Sequence, residues 1–282
     1  MAWSKSPSFF LIPALLIASE PAKQEAVEPH MGTLVRIVFY AGDATPARVA
    51  FQRIAALDQT LSDYNPNSEL NQLCRAQHGE LQGDLATIIP TALALARETN
   101  GAFDPTLAAL TRHMPQPAPL PPAGPAGATA KPATPRAPLP PAHYGHHRVT
   151  LTGARIALNG TCFDLGGIAK GYAAQEAIQA LTRQGVRRAM VAISGDICAG
   201  EGEWKIGAQG RTVTLTNACI STSGNESQPG HIFDPRTGQP TLRPGQVTVV
   251  SSIGARADAL ATAHYLTSPP GTWIDERRDH GK

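Results

Sequence analysis

The chain has 282 residues, of which 42% are hydrophobic and 16% charged, and this length suffices for one large domain or two with a sizeable core. Its net charge is +2, its basic residues are scattered rather than striped, and only 5 Tyr and 7 Phe are available for stacking on bases. Composition and charge therefore argue against nucleic acid as a partner.

The N-terminus carries a signal-like segment. Lys5 precedes ten apolar residues, "FFLIPALLIA" at positions 9–18, and polar sequence follows. This run is too short to span a bilayer as a helix, but a basic residue before a short apolar stretch is typical of a secretory signal. Pro13 and the lack of an A-x-A cleavage site count against it. We expect residues 1–25 to be a signal peptide or a disordered N-terminus and the protein to be periplasmic or otherwise exported, with a cytoplasmic location as the alternative.

Strand and helix patterns follow in turn. The β-branched and aromatic stretch "GTLVRIVFY", residues 32–40, predicts a strand. After Pro46, apolar residues recur from Ala50 to Leu61 at i, i+4, i+7 and i+11, which predicts an amphipathic helix. A second helix is predicted from Asp84, a good N-cap, to the Asn100-Gly101 stop, with a bend at Pro90.

Residues 114–142 are rich in Pro, Ala and Gly and can bury little, so we expect a mobile or polyproline-like insertion. Regular patterns then resume, with strands at "HRVTLTGARIAL", "RAMVAI", "EWKIGA", "TVTLT" and "QVTVVSS" and helices at 173–184 and 255–266. This mixture without a regular βαβ alternation predicts an α+β fold with mixed or antiparallel sheets and packed helices. The main domain is predicted at 26–268, with a polar tail at 269–282.

The cysteines and histidines give weak signals. The four cysteines are Cys74, Cys162, Cys198 and Cys219, and they form no C-x-x-C pair. That spacing argues against a zinc site or a redox dithiol and is compatible with free thiols. The "HYGHH" stretch at 143–147 could bind a transition metal, but beside the Pro-rich insertion it is expected to be a solvated loop.

The stretch "FDLGGIAKGYAAQ", residues 163–175, has the features of an anion site. Gly166 and Gly167 allow a close backbone approach, and Lys170 adds a positive charge. The helix that begins here presents unpaired N–H groups and the positive end of its dipole. These features predict a phosphate-bearing ligand. A turn in which the glycines only relieve strain is the alternative.

A second motif, "RADALATAHYL", places Asp258 and Thr262 four residues apart on one face of a helix. Their oxygens can coordinate a hard cation such as Mg²⁺, although most such pairs are a cap or a solvated face. We expect Asp258 to face the surface rather than the core. Four further stretches stand out: "MGT" (31–33), "LSDYNPNSELNQL" (61–73), "TNGAFDPTLAAL" (99–110) and "CISTSGNESQPGHIFDPRTGQP" (219–240).

Together these six motifs, in this order, resemble the ApbE family of FAD:protein FMN transferases from about residue 31 to residue 266. The resemblance implies an ApbE-like fold that binds FAD and Mg²⁺. The implied reaction moves the FMN moiety of FAD onto a Ser or Thr hydroxyl of an acceptor protein and releases AMP. The implied partners are FAD and an acceptor flavoprotein subunit, through which the protein is expected to associate peripherally with the membrane.

Carried over by position, the resemblance implies three sets of residues. The metal ligands are Gly167, through its backbone, with Asp258 and Thr262. His231 is the implied base for the acceptor hydroxyl, and Asp258 is the fallback, although a metal-bound carboxylate is poorly basic. The residues expected against FAD are Met31, Tyr64, Ala102, Phe103, Asp104, Asp164, Lys170, Ser223, Gly224 and Ile232, with Ser223 and Gly224 in a hydroxyl-rich loop.

The chain also departs from the family pattern. Ser194-Gly195-Asp196 stands where Gly-Gly-Asp is frequent, and Gln175 replaces an Asp, which is expected to remove a helix-side salt bridge. The sequence ends soon after the Asp258 helix, so we expect the sheet to lack an edge strand. A metal-dependent FAD pyrophosphatase giving FMN and AMP and a non-catalytic FAD-binding protein are alternative functions. The retained Asp258 and Thr262 argue against the second of these, and the sequence does not separate the first from the transferase.

Overall fold

The structure is a computed structural model that describes residues 21–112, 143–226 and 229–278. The expected signal segment up to residue 20 and the Pro-rich insertion at 114–142 lie outside the described residues. No helix within these ranges is long and apolar enough to cross a bilayer. The described helices are α1 (Thr45–Leu61), α2 (Glu69–Ala76), α3 (Gly83–Glu98), α4 (Ala108–Thr111), α5 (Ala169–Arg183) and α6 (Gly254–Thr267).

The described strands form one large sheet and three small ones. The strands are β1 (Lys23–His30), β2 (Thr33–Tyr40), β3 (His78–Glu80), β4 (Thr150–Thr152), β5 (Arg155–Ala157), β6 (Ala189–Ile193), β7 (Asp196–Ala199), β8 (Trp204–Ala208), β9 (Arg211–Leu215), β10 (Ala218–Gly224), β11 (Phe233–Asp234), β12 (Gln239–Pro240), β13 (Gln246–Ser251) and β14 (Trp273–Asp275). The large sheet has the order β1-β2-β6-β7-β10-β13-β14, and its neighbours are antiparallel except for β13 and β14. Mixed sheets with packed helices confirm the predicted α+β class.

The main core lies between the large sheet and a helical layer. Helix α5 packs on α1, on α6 and on strands β6 and β7, while α6 packs on β10 and β13. In α1 the periodic apolar residues, including Ile54 and Leu57, are buried as their spacing predicted. The β8–β9 hairpin covers a smaller core, in which Ile206 packs with Ile220 and Val250. Alternate residues of β10 therefore pack into two different cores.

Helix α3 begins one residue earlier than predicted and lacks the predicted cap. Its N-cap is Gln82, whose side chain makes no capping hydrogen bond, and Asp84 lies inside the first turn. The Asp84 carboxylate instead accepts hydrogen bonds of 2.8 and 2.5 Å from Arg53 on α1. The same guanidinium donates to Glu176 on α5 at 2.6 Å. Asp84 thus takes part in an ion-pair network that joins three helices.

Secondary structure extends beyond both predicted ends of the main domain. Strand β1 begins at Lys23, inside the segment expected to be signal peptide or disordered chain. At the other side, β14 pairs in parallel with residues 248–250 of β13, so the expectation of a missing edge strand is wrong. A segment of three residues is too short to predict a strand by itself, and the pairing depends on contacts with a distant segment. The domain limits at 26 and 268 stay predictions.

All four cysteines are paired in disulfides. Cys74 bonds to Cys162, 88 positions away, and Cys198 bonds to Cys219, 21 positions away. The first bond ties α2 to the segment that leads into α5. The second joins two residues that face each other across the antiparallel β7–β10 pair. The cysteines are therefore not free thiols, the state with which their spacing was compatible.

Candidate active site

The turn before α5 is organised by Asp164. Its backbone N–H donates to the Pro105 carbonyl at 2.8 Å, and its Oδ1 accepts the N–H of Gly166 at 2.8 Å. Such an Asx turn stabilises a tight reversal of the chain. The Nζ of Lys170, one helical turn later, donates to the Gly166 carbonyl at 2.6 Å. The turn therefore holds the ammonium of Lys170 next to the backbone of the two glycines.

The N-terminus of α5 meets a carboxylate from α6. Asp258 Oδ2 accepts the backbone N–H of Gly171 at 3.1 Å and also interacts with the N–H of Lys170. Unpaired N–H groups at a helix start attract anions, and here a carboxylate of the protein fills that role. The sequence predicted a phosphate at this helix start. Two of the N–H groups at this helix start are used by Asp258, and the phosphate stays a prediction.

The predicted metal ligands come together between α5 and α6. Asp258 is 4% exposed, so the expectation that it faces the surface is wrong. Burial raises the pKa of Asp258 above its usual value, against the opposing effects of Lys170 and the Gly171 N–H. Thr262 lies one turn further along α6, and a Cβ atom placed on Gly167 would be 3.2 Å from its Oγ1. The Thr262 Oγ1 is also 3.3 Å from the Oγ of Ser223 on β10.

A second buried carboxylate was not in the predicted set. Asp196, at the start of β7, is 4% exposed, and its Oδ1 accepts a hydrogen bond from the hydroxyl of Ser221. Its Oδ2 lies 3.9 Å from Lys170 Nζ. Burial, reinforced by the charge of Asp258, raises the pKa of Asp196 to about 7, although Lys170 and Ser221 lower it. The sequence marked Asp196 only as part of a family motif and gave it no role.

Lys170 is the single cation that these carboxylates share in the described part of the chain. Burial alone would lower the pKa of Lys170, but the carboxylates of Asp258, Asp196 and Asp164 raise it overall. Two of the three carboxylates around this ammonium, those of Asp196 and Asp258, are buried, so their ionised forms are costly unless a cation pairs with them. Such a cluster suits an added cation, because buried charges are stable only when they are paired.

The oxygen donors also fit Mg²⁺, which prefers carboxylate, hydroxyl and backbone oxygens together with water or phosphate. Asp258, Thr262 and the backbone at Gly167 offer such donors on adjoining elements. Within the described ranges, no group of three His, Cys, Asp or Glu side chains could hold a metal by itself. A cation at this site would therefore depend on the hydroxyl and the backbone as well as on Asp258, with water or phosphate oxygens as its remaining ligands.

The 102–104 turn lies beside the glycine turn. Phe103 is 3% exposed, and its ring edge would lie 3.5 Å from a Cβ atom on Gly167. Asp104 Oδ1 accepts the N–H and the hydroxyl of Thr106 at 2.8 and 2.6 Å. Its Oδ2 accepts the backbone N–H of His146 at 2.9 Å and lies 3.1 Å from the ring Nδ1. These contacts of Asp104 therefore stabilise its own turn. They also fix His146 against that turn, although His146 was expected to lie in a solvated loop.

Tyr64 lies in the loop between α1 and α2 and is 50% exposed. Asn71 fixes this loop, because its Nδ2 donates to the carbonyls of Ser62, Asp63 and Asn65 at 3.2, 3.0 and 2.7 Å. Asn71 was not predicted as a functional residue. Its only sequence signal is its position inside the "SDYNPNSELN" motif.

The other predicted FAD residues lie in neighbouring segments. Met31 has a left-handed backbone (φ 50°) in the β1–β2 turn, and its N–H donates to Asp58 Oδ2 at 3.0 Å. Ala102 and Ile232 are buried in the main core, and His231 is half-buried before β11. Gly224, like Ser223, belongs to strand β10 rather than to the predicted loop.

Two departures from the family pattern have local explanations. Gln175 stands on α5, and its Oε1 accepts the N–H of Gly254 at 2.8 Å. It therefore satisfies an end group of α6 where the resemblance led us to expect a lost salt bridge. Ser194 has a left-handed backbone (φ 56°), the conformation that the frequent glycine at this position adopts freely.

A pocket of about 240 Å³ lies under the β8–β9 hairpin, on the opposite face of β10 from the cluster. Thr222 lines it, and the Thr222 hydroxyl lies 2.9 Å from that of Thr248. None of the predicted site residues lines this pocket. The chemistry-bearing groups are therefore on the helix face of the sheet, where Ser221 and Ser223 point.

The fold and the cluster define an α+β protein in which a glycine-lysine turn meets an Asp-Thr pair on a neighbouring helix. The chain belongs to the ApbE family, whose sequence profile matches residues 31–279. It is 26% identical over 290 residues to the FAD:protein FMN transferase of Escherichia coli K12, an alignment that covers 89% of this chain and 82% of that protein.

Solved structures show the same fold. The ApbE protein of Thermotoga maritima superposes with a TM-score of 0.74 at 25% identity, covering 88% of this chain and 87% of that one. The apo form of the flavinyl transferase ApbE from Pseudomonas stutzeri gives a TM-score of 0.73 at 24% identity, covering 90% and 89%. The family and the fold predicted from the motifs are thereby confirmed.

Proposed function

We propose that this protein is a FAD:protein FMN transferase. It moves the FMN moiety of FAD, with Mg²⁺ bound, onto a Ser or Thr hydroxyl of an acceptor protein and releases AMP. The observation that supports this proposal best is the cluster itself. The Thr262 Oγ1 lies 3.3 Å from the Ser223 Oγ and against the backbone of Gly167. The buried Asp258 belongs to the same cluster, and so does Lys170. The activity for which the Escherichia coli relative is named agrees with it.

The reaction is a phosphoryl transfer. The acceptor hydroxyl oxygen forms a bond to the phosphorus on the FMN side, the bond from that phosphorus to the bridging oxygen breaks, and AMP leaves with this oxygen. Catalysis of such steps depends mainly on positioning and on neutralising charge. Lys170, held at the Gly166 carbonyl, supplies a fixed positive charge for the pyrophosphate. When bound at Asp258, Thr262 and Gly167, Mg²⁺ supplies further neutralisation of the phosphate oxygens.

His231 is proposed as the base that accepts the proton of the attacking hydroxyl. Imidazole is suited to this role because its ordinary titration range is near neutral pH. His231 is half-buried and adjoins Ile232, which is packed in the main core and so fixes the backbone at this point. Asp258 is the weaker candidate, since its carboxylate is held by the N–H of Gly171 and is assigned to the cation.

The test is incubation of the full chain with FAD, Mg²⁺ and a purified candidate acceptor subunit, followed by intact mass measurement of the acceptor. Transfer adds one FMN phosphoryl moiety to the acceptor and releases AMP in equal amount. A FAD pyrophosphatase would give FMN and AMP with an unmodified acceptor, and a binding protein would leave FAD intact. A matched reaction with the acceptor's target hydroxyl residue replaced by Ala shows whether the label is specific.

We also propose that the protein is exported and works on a membrane-associated acceptor. The signal-like N-terminus supports export, and so do the two disulfides, because such bonds persist in oxidising compartments. Fractionation of cells, with thiol alkylation before and after reduction, tests this proposal. A protein found only in the cytoplasm with four alkylated cysteines would contradict it.

A further inference from the structure

The proposed reaction leaves one buried charge of the cluster without a role. Asp196 comes from the sheet, whereas Lys170 and Asp258 come from the two helices packed above it. We infer that Asp196 is a positioning residue for FMN transfer: with Ser221 it draws the Lys170 ammonium toward strand β7 and keeps Asp258 free to bind the cation. This inference rests on the proposed function.

Each carboxylate around Lys170 is anchored by a different partner. Asp164 is fixed by the N–H of Gly166 and Asp258 by that of Gly171. Asp196 is fixed by the Ser221 hydroxyl on the central strand β10, which leaves its Oδ2 3.9 Å from the ammonium. The position of Asp196 relative to Lys170 is therefore set by the paired strands β7 and β10.

The interaction between Asp196 and Lys170 matters because a lysine side chain is long and flexible, with a compact charge that pairs with any near carboxylate. The Lys170 ammonium interacts with Asp258 as well as with Asp196. If the charge of Asp196 were lost, Asp258 would be the remaining buried carboxylate that attracts the ammonium. A lysine paired with Asp258 would compete with a cation for that carboxylate and would leave its place beside the Gly166 carbonyl.

A double-mutant cycle on the full chain tests this inference. The variants are Asp196→Asn, Lys170→Met and the double variant, at about pH 8 so that Asp196, whose pKa is raised to about 7, is mostly ionised. Two quantities are measured. One is the rate of FMN transfer, and the other is the affinity for Mg²⁺ without FAD, which is determined by calorimetry. We expect Asp196→Asn to lower the rate by about 10- to 100-fold, the effect of a misplaced group, and to weaken Mg²⁺ binding about tenfold.

The coupling between the Asp196 and Lys170 substitutions decides whether the inference holds. In the Lys170→Met background, Asp196→Asn is expected to change Mg²⁺ binding and rate by less than about twofold, because the lysine on which it acts is gone. Equal losses in both backgrounds, or no loss in either, would overturn the inference. Thr222→Val is the matched control, since Thr222 lies next to Ser221 but on the opposite face of β10. It should leave both quantities unchanged.

Circular dichroism and thermal unfolding establish that each variant folds. Should Asp196→Asn fail to fold, Ser221→Ala replaces it, since it removes only the hydroxyl that fixes Asp196. A loss of about threefold in the transfer rate and in the Mg²⁺ affinity supports the inference. The absence of any loss contradicts it. A wild-type chain that transfers no FMN would overturn the proposed function alone, because the Mg²⁺-binding cycle still reports on Asp196.

Discussion

A Cβ atom on Gly171 would lie 2.2 Å from the carbonyl oxygen of Gly254, and a Cβ atom on Gly254 would lie 2.2 Å from that of Gly171. Helices α5 and α6 therefore cross with their backbones in contact, which only a pair of glycines permits. The same Gly171 donates its N–H to Asp258. The close crossing thus sets how near the carboxylate of α6 comes to the start of α5.

We predict that Gly171→Ala lowers the free energy of unfolding by about 1–3 kcal/mol, because the added methyl group must push the two helices apart. Urea unfolding measures this change, and FAD binding should weaken as well. Gly207→Ala is the control, since a Cβ atom there would meet nothing within 4 Å. That substitution should change stability by less than about 0.5 kcal/mol. Similar stabilities for the two variants would contradict the close crossing.

Asn71→Ala is predicted to loosen the loop that carries Tyr64. The substitution removes three hydrogen bonds from Asn71 to the carbonyls of residues 62, 63 and 65. We expect FAD to bind roughly three- to tenfold more weakly, as when a binding loop must be ordered on binding. Fluorescence quenching of FAD measures this. The control is Gln72→Ala, whose exposed amide makes a single bond to Asn67, and equal losses in both variants would refute the special role of Asn71.

Local sequence patterns predicted the elements that bury a periodic face. The spacing of Ile54 and Leu57 located α1, and the alternating or β-branched stretches located β2, β6 and β13. The six motifs identified the family, and the resemblance implied that Gly167 and Thr262 belong to one site. The structure places these two residues next to each other. These features follow from short-range periodicity or from residue types at fixed spacing, which a single sequence displays directly.

What the sequence did not reveal depends on distant partners. The pairing of β14 with β13 and the bond between Cys74 and Cys162 join segments that share no local pattern. The burial of Asp258 was missed because a helical carboxylate was expected at the surface, whereas α6 packs on both α5 and the sheet. Asp196 was overlooked for a similar reason, since its role depends on the Ser221 hydroxyl and on Lys170 from another layer.

The metal site predicts the behaviour of Asp258→Asn. The amide oxygen can still accept the N–H of Gly171, so the variant should fold. Because burial disfavours the charge of Asp258, its removal should leave the metal-free protein as stable as before or slightly more so. Transfer should be lost at ordinary Mg²⁺ levels, and Mg²⁺ should no longer raise the melting temperature. Undiminished transfer would remove Asp258 from the site.

The raised pKa of Asp196 predicts a pH dependence of stability without metal. Its folded pKa of about 7 exceeds its value of 3.8 when unperturbed, so the folded state holds this proton more tightly than the unfolded state. The associated stability is complete below about pH 4 and is lost as the pH rises through about 7. The melting temperature should fall on the order of 5 °C between about pH 5 and pH 8. Asp196→Asn should flatten this part of the profile, and an unchanged slope would contradict the assignment.

The role of His231 is tested by separating transfer from FAD binding. If His231 accepts the proton of the acceptor hydroxyl, His231→Ala should lower the transfer rate by about 10²–10⁴-fold, the usual range for general base catalysis. FAD affinity should change much less, because the base faces the hydroxyl rather than the pyrophosphate. The rate is compared across pH for both proteins, and the acidic limb of the wild-type profile should disappear in the variant. His78→Ala, an exposed residue of β3, is the control. Equal losses of FAD binding and transfer would show that His231 only holds the turn before β11, and the base would then have to be another residue of the site.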